Sequence, residues 1–196
     1  MIWDNNEDIK LIECENQSRV IQRHLNECRE ERRPYVFVTN TMTVKPLHRL
    51  LVPVSMLEEE TYKAEICTYL ARKTGAHIIL LQANDYGSHA RQNVNRIITH
   101  IEKVNERLAE DQSPITNHQS PITYEVCIAR KDSFGLIREA AERQRDFRHD
   151  LLILTASRDY GLDDILFGPP ERKAIQRALV PVMLVNPRED LFSLCD

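Results

Sequence analysis

The residues best equipped for chemistry follow one short apolar run, Leu151-Leu152-Ile153-Leu154: Thr155, Ser157, Arg158, Asp159, Asp163, Asp164 and Gly168. A serine becomes a nucleophile only beside a general base, and in hydrolases it commonly sits on a glycine-flanked elbow. Ser157 has no histidine near it in sequence and no G-x-S-x-G around it, so it reads as the cap of a turn or helix. Arg158 offers a guanidinium that could hold an anion, but pairing with Asp159 or Asp163 as a solvated charge is the simpler expectation. Asp85-Tyr86-Gly87 could line a pocket rim and equally makes an ordinary turn. His77 precedes an apolar run, while His89, His100 and His118 lack ligand spacing and read as surface groups. The cysteines Cys14, Cys28, Cys67, Cys127 and Cys195 contain no C-x-x-C pair, which is the pattern of reduced thiols; Cys195 alone is a candidate for reactivity. No catalytic or metal-binding constellation emerges, so the chain is not expected to be an enzyme.

Composition narrows the classes further. At 196 residues with 42% hydrophobic and 29% charged content, the chain can bury a core of one domain plus an appendage. Both charge signs are interspersed, 26 Lys+Arg against 30 Asp+Glu, for a net charge of −4. That is a solubility surface, not a phosphate-backbone footprint, and 6% aromatic content gives no stacking platform, so nucleic acid is not expected as a partner. No apolar run approaches the roughly 18 residues of a membrane span. The opening Met1-Ile2-Trp3-Asp4-Asn5-Asn6-Glu7-Asp8 lacks the order of an export signal, and a cytoplasmic location is expected.

Short apolar runs alternate with amphipathic ones from residue 47 onward. Leu50–Val54, His77–Ala83, Tyr124–Ala129, Leu151–Leu154 and Pro181–Val185 read as five strands. Between them, Tyr62, Ile66, Tyr69 and Leu70 mark a helix closed by Gly75, and Val94, Ile97, Ile98, Ile101, Val104 and Leu108 mark a long one opened by Ser88. Leu136 to Phe147 reads as a third helix; Pro169-Pro170 opens a fourth, with Ala174, Ile175, Ala178 and Leu179 on its buried face. Near-continuous apolar strands separated by helices mean a parallel sheet covered on both faces, an α/β doubly wound fold whose crevice lies at the carboxyl ends of neighbouring strands. The segment 112–123 carries Gln-Ser-Pro-Ile-Thr twice, a local duplication in a loop. Residues 1–43 stand apart as an N-terminal appendage, with a helix from Ser18 to about Arg32 and a strand at Tyr35–Val38. Ile21-Gln22-Arg23-x-Leu25 echoes Ile175-Gln176-Arg177-x-Leu179, by chance or as the remnant of a tandem repeat. The main domain then spans 44–188 and a tail spans 189–196.

Over 47–187 the order of these pieces resembles the universal stress protein family. The resemblance rests on Leu51-Val52-Pro53-Val54, on Leu70-Ala71-Arg72-Lys73-x-Gly75-Ala76, on Gly161-Leu162-Asp163-Asp164-Ile165-Leu166-Phe167-Gly168 and on Pro181-Val182-Met183-Leu184-Val185. It implies an open five-stranded sheet in the order 3-2-1-4-5, homodimers formed through the last strand (Pro181–Val185) and, in some members, an adenine-nucleotide crevice. Nucleotide-binding members carry a glycine-rich phosphate cradle whose positions fall here on Thr155, Arg158, Gly168 and Pro169, and only Gly168 matches. Side chains at Thr155 and Arg158 fill space the cradle leaves open, and Pro169 supplies neither N–H nor hydroxyl. The acidic residue that usually ends the first strand is Ser55 here. The resemblance therefore implies a stress-response protein without the usual ATP cradle or any cofactor, acting through dimerisation and a protein partner. The alternative is a regulator binding ATP or AMP with Mg in a remodelled site of Val54, Ser55, Ala83, Thr155, Arg158 and Gly168.

Overall fold

The computed structural model describes residues 7–110, 120–157 and 168–187. Its strands are β1 (Lys10–Cys14), β2 (Tyr35–Thr39), β3 (Arg49–Val54), β4 (His77–Gln82), β5 (Tyr124–Ile128), β6 (Leu151–Thr155) and β7 (Val182–Val185). The helices are α1 (Ser18–Glu27), α2 (Lys63–Thr74), α3 (His89–Glu110), α4 (Ser133–Glu142), α5 (Gln144–Phe147) and α6 (Pro170–Arg177), with a 3-10 turn at Glu58–Tyr62 before α2. All seven strands join one sheet in the order β1-β2-β7-β6-β3-β4-β5. Five of them, β5-β4-β3-β6-β7, are mutually parallel and reproduce the expected winding. The sheet has seven strands where five were expected, because the N-terminal segment continues it instead of standing apart.

Residue alternation along the strands builds two cores. Leu51, Ile79, Leu81, Leu152, Leu154, Val182 and Leu184 face α1, α4 and α6 through Ile21, Leu25, Leu136, Ala140, Ala174 and Ile175. The intervening Leu50, Val52, Ile78, Leu80, Leu151, Ile153 and Met183 face α2 and α3 through Ile66, Leu70, Val94, Ile97 and Ile101. Both faces of the central strands are covered, which is why those strands carry almost no polar residues.

Several boundaries shift from expectation for local reasons. Gly75 caps α2 at φ 72, a left-handed conformation that favours glycine. The segment expected as one helix from Leu136 is two: α4 starts earlier, where the Asp132 carboxylate accepts the Gly135 N–H at 3.1 Å, and α5 follows a break at Arg143. Pro170 stands in the first turn of α6 as expected, but the chain turns extended at Ala178 (ψ 140), so Leu179 is 51% exposed and leaves the buried face. The first helix ends at Glu27 instead of Arg32. Sequence reading missed β1, whose Lys10-Leu11-Ile12-Glu13-Cys14 carries two charges and buries only Ile12.

The N-terminal segment repeats the form of the chain's other end. β1–α1–β2 and β6–α6–β7 are each two parallel strands joined by a helix. The two units meet antiparallel, Tyr35 opposite Leu184, Val36 opposite Met183 and Phe37 opposite Val182. Their helices also touch: the Gln176 side chain donates to Ser18 Oγ at 2.8 Å, and Asn16 donates to the Gln176 carbonyl at 3.0 Å. Asn186, just beyond β7, donates to the carbonyls of Cys28 and Glu31 at 3.0 and 2.6 Å. This overturns one expectation directly. The edge of β7 that was to pair with a second copy through Pro181–Val185 is taken by β2 of the same chain.

His149 precedes β6 and is 1% exposed. Burial depresses its pKa from the ordinary 6.5 to about 4, with Asp150 opposing and Arg49 assisting. The folded chain thus keeps His149 neutral at pH values where the unfolded chain takes up a proton. Its contribution is intact above pH 6.5 and is lost as the pH falls toward 4, by about 3 kcal/mol in total. Urea unfolding of the native chain and of His149→Gln across this range should show the native chain losing about 3 kcal/mol more than the variant between pH 6.5 and 4; parallel curves would refute this origin.

Candidate functional site

The crevice at the carboxyl ends of β3 and β6 is built by three chain segments that leave the sheet together. The first, Ser55-Met56-Leu57, is pinned from α3, where the buried Asn93 side chain donates to the carbonyls of Ser55 and Leu57 at 3.1 and 2.7 Å. It is held from α4 as well, since Met56 N–H donates to Ser133 Oγ at 2.9 Å. Ser133 in turn donates its N–H and hydroxyl to Asp85 at 2.9 and 2.6 Å, fixing the second segment, the loop after β4. The third segment, Ala156-Ser157, is fixed by Glu171 of α6, whose carboxylate accepts from Ser157 N and Oγ at 3.2 and 2.8 Å.

Glu60 lies at the centre. The 3-10 turn carries it back over the end of β3, and it is 6% exposed. One carboxylate oxygen accepts from Ser55 Oγ at 2.6 Å, and the other accepts from Thr155 Oγ1 at 3.1 Å. Lys63, 1% exposed, supplies the balancing charge, pairing with Glu60 and donating to the Pro53 carbonyl. A buried carboxylate is tolerable only when its lone pairs are satisfied and a cation stands beside it, and both conditions hold. Behind this pair, burial pushes the Cys67 thiol up to about 12, which keeps it protonated and inert.

The residues expected to line a nucleotide site fall as follows. Val54 and Ala83 are buried, with Ala83 N–H donating to the Val54 carbonyl at 3.0 Å. Ser55 and Thr155 come together across the crevice through Glu60. Gly168 is left-handed at φ 76, and the Arg172 guanidinium folds over it so closely that a Cβ there would lie 1.9 Å from Cζ. Arg158, Asp159, Asp163 and Asp164 lie outside the described residues, as does Cys195. Sequence reading missed Glu60, Lys63, Asn93, Ser133 and Glu171. The i,i+3 spacing of Glu60 and Lys63 is compatible with an ion pair but does not mark it as buried.

What remains open is a cavity of about 270 Å³ between Leu57, Ser133, Phe134, Ala156, Pro170 and Pro187. Pockets for drug-sized ligands usually measure about 300–1,000 Å³. Glu59 and Glu171 place carboxylates in or beside it, while the charge of Glu60 is balanced by Lys63. Among the described residues, Cys14, Cys28, Cys67 and Cys127 form no disulfide, no cluster has the make-up of a metal site, and no helix is long and apolar enough to cross a membrane.

A doubly wound sheet with its crevice at the carboxyl ends of β3 and β6 defines an α/β protein of the open, mostly parallel class. The sequence profile of the universal stress protein family matches residues 46–186. The chain belongs to the universal stress protein family. Its fold is similar to that of a universal stress protein from Archaeoglobus fulgidus DSM 4304, with a TM-score of 0.65 and 15% identity over 93% of this chain and 62% of that one. A functionally unknown protein from Pseudomonas aeruginosa PAO1 gives a TM-score of 0.53 at 11% identity, over 94% of this chain and 64% of that one. A universal stress protein solved in complex with cAMP gives 0.50 at 11% identity, over 74% of this chain and the whole of its own. This chain thus spans less than two thirds of the length of the first two structures. No curated protein matches the sequence.

Proposed function

We propose that this universal stress protein works without a bound nucleotide and without catalysis, as a stress-response protein acting through a protein partner. The observation that carries this reading is Glu60, which takes the hydroxyls of Ser55 and Thr155 that a ribose or phosphate would otherwise meet. Glu171 holds Ser157 and Asp85 holds Ser133 in the same manner, so the crevice satisfies its own donors with the chain's own carboxylates. In this reading residues 1–43 serve as an internal stand-in for the second subunit, because β2 lies where a copy of β7 would pair.

A second reading has one observation in its favour: a protein of similar fold was solved with cAMP. An adenine nucleotide held by Val54, Ser55, Ala83, Thr155, Arg158 and Gly168 would have to displace Glu60. Thermal unfolding separates the two. With about 1 mM Mg-ATP, AMP or cAMP, a site of about 10 μM affinity would add about 2.7 kcal/mol and raise the midpoint by several degrees. The expected result is no shift with any of them. A rise with one nucleotide that is lost in Thr155→Val would establish the second reading.

A further inference from the structure

We propose that the open edge of β5, together with the basic cleft at its carboxyl end, docks an extended acidic segment of a partner protein as an added strand. This rests on the partner-binding reading above and names the surface and the chemistry it takes.

Among the described residues β5 ends the sheet, with β4 on one side and no strand on the other. Thr123 accepts from Ile78 N–H, and Ala129 N–H donates to the Gln82 carbonyl, so odd-numbered residues bond inward. The N–H and C=O groups of Tyr124, Val126 and Ile128 therefore point out of the sheet. Proteins usually blunt such an edge with lysine, proline or charge. The opposite edge is blunted in this way: β1 carries Lys10, paired with Glu31, and Glu13. β5 has neither lysine nor proline and exposes Val126 at 42% and Ile128 at 58%. Its one acid, Glu125, is engaged by Arg49 at 2.7 Å and lies 3.6 Å from His77.

Two residues beyond this strand the charge changes sign. Arg130, Lys131, Arg138 and Arg143 line a cleft of about 430 Å³ against α4. Its two acids are already committed. Glu139 accepts the Arg130 and Lys131 backbone N–H groups at 3.0 and 2.8 Å and pairs with Arg143; Glu142 pairs with Arg138 and Arg177. Among the described residues the Lys131 side chain forms no salt bridge, and Arg130 has only a through-space attraction to Asp146, whose salt bridge is to Arg143. An added strand whose apolar residues cover Val126 and Ile128, and whose acidic end reaches these cations, satisfies the outward backbone groups and the unpaired charge together.

The test uses the full chain and a fluorescein-labelled peptide, Glu-Val-Glu-Val-Asp-Glu-Asp, with a basic peptide of the same pattern and an oligo-dT of equal charge as controls. Saturable binding of the acidic peptide alone is expected, weakened by about tenfold in Arg130→Glu/Lys131→Glu. Ile128→Pro removes an outward donor while leaving the inward ladder, and should also weaken binding while the chain still melts cooperatively. Hydrogen exchange supplies an independent reading: the Val126 and Ile128 amides should exchange quickly in the free chain and slowly with peptide. Protection of those amides without peptide would mean that another part of the chain or a second copy already covers the edge. That result, equal binding of oligo-dT, or binding indifferent to both variants would overturn the proposal. A nucleotide shift in the thermal assay with peptide binding intact would remove the nucleotide-free reading and leave this surface standing.

Discussion

Replacing Lys63 with methionine should destabilise the chain by about 3–5 kcal/mol, because it leaves the Glu60 carboxylate buried without its cation. Lys63 is 1% exposed and Glu60 6%, so water cannot stand in for the lost ammonium. The Pro53 carbonyl also loses a donor, which adds to the penalty. Denaturant unfolding at pH 7 measures the loss. The double variant Glu60→Gln/Lys63→Met buries no unpaired charge and should recover much of it, since the new carboxamide keeps Ser55 and Thr155 within reach. A single variant within about 1 kcal/mol of the native chain would mean that the pair is hydrated and that the crevice is more open than described.

The second large effect concerns assembly. Removing residues 1–43 uncovers the β7 edge and the apolar surface under Ile21, Leu25 and Phe37, all buried in the intact chain. An uncovered aliphatic edge recruits another strand, and the nearest equivalent is β7 of a second copy. Light scattering should therefore report the intact chain as a monomer and the shortened one as a dimer. The same mass per particle for both, monomer or dimer, would reject the internal stand-in. Phe37→Ala tests the same packing more gently, and large-to-small changes at such sites cost about 3–5 kcal/mol.

The central sheet was legible because burial on both faces leaves a mark that few other arrangements produce. Leu151-Leu152-Ile153-Leu154 and His77-Ile78-Ile79-Leu80-Leu81 cannot be half-exposed strands, since both alternating sets are apolar, and both proved to be central. Gly75 and Pro170 were legible for stereochemical reasons, one for its positive φ and the other for its missing N–H. β1 was hidden because an edge strand with one neighbour needs only one buried side chain, and Ile12 alone sets no period. The site divides in the same way. Ser55 and Thr155 could be named because they lie at the carboxyl ends of the two neighbouring strands where the winding reverses, which is where this fold opens its crevice. Glu60 could not, because in Glu58-Glu59-Glu60 three identical side chains look equally solvated. Only the pitch of the 3-10 turn decides that the third points inward while Glu58 reaches Arg96 on the surface.

The antiparallel seam between β2 and β7 also sets an order of events. Val36 and Met183 face each other across nearly the whole described chain, so the apolar faces of α1 and β2 are covered only once β7, made much later, is in place. Contacts of such sequence separation form slowly, because loop closure precedes any gain from packing. During synthesis the segment from Ile12 to Phe37 therefore stays exposed while the five parallel strands assemble. The step that closes the sheet is then the docking of this early-made piece onto a finished neighbour, and that interval is when the nascent chain is most open to pairing with the wrong strand.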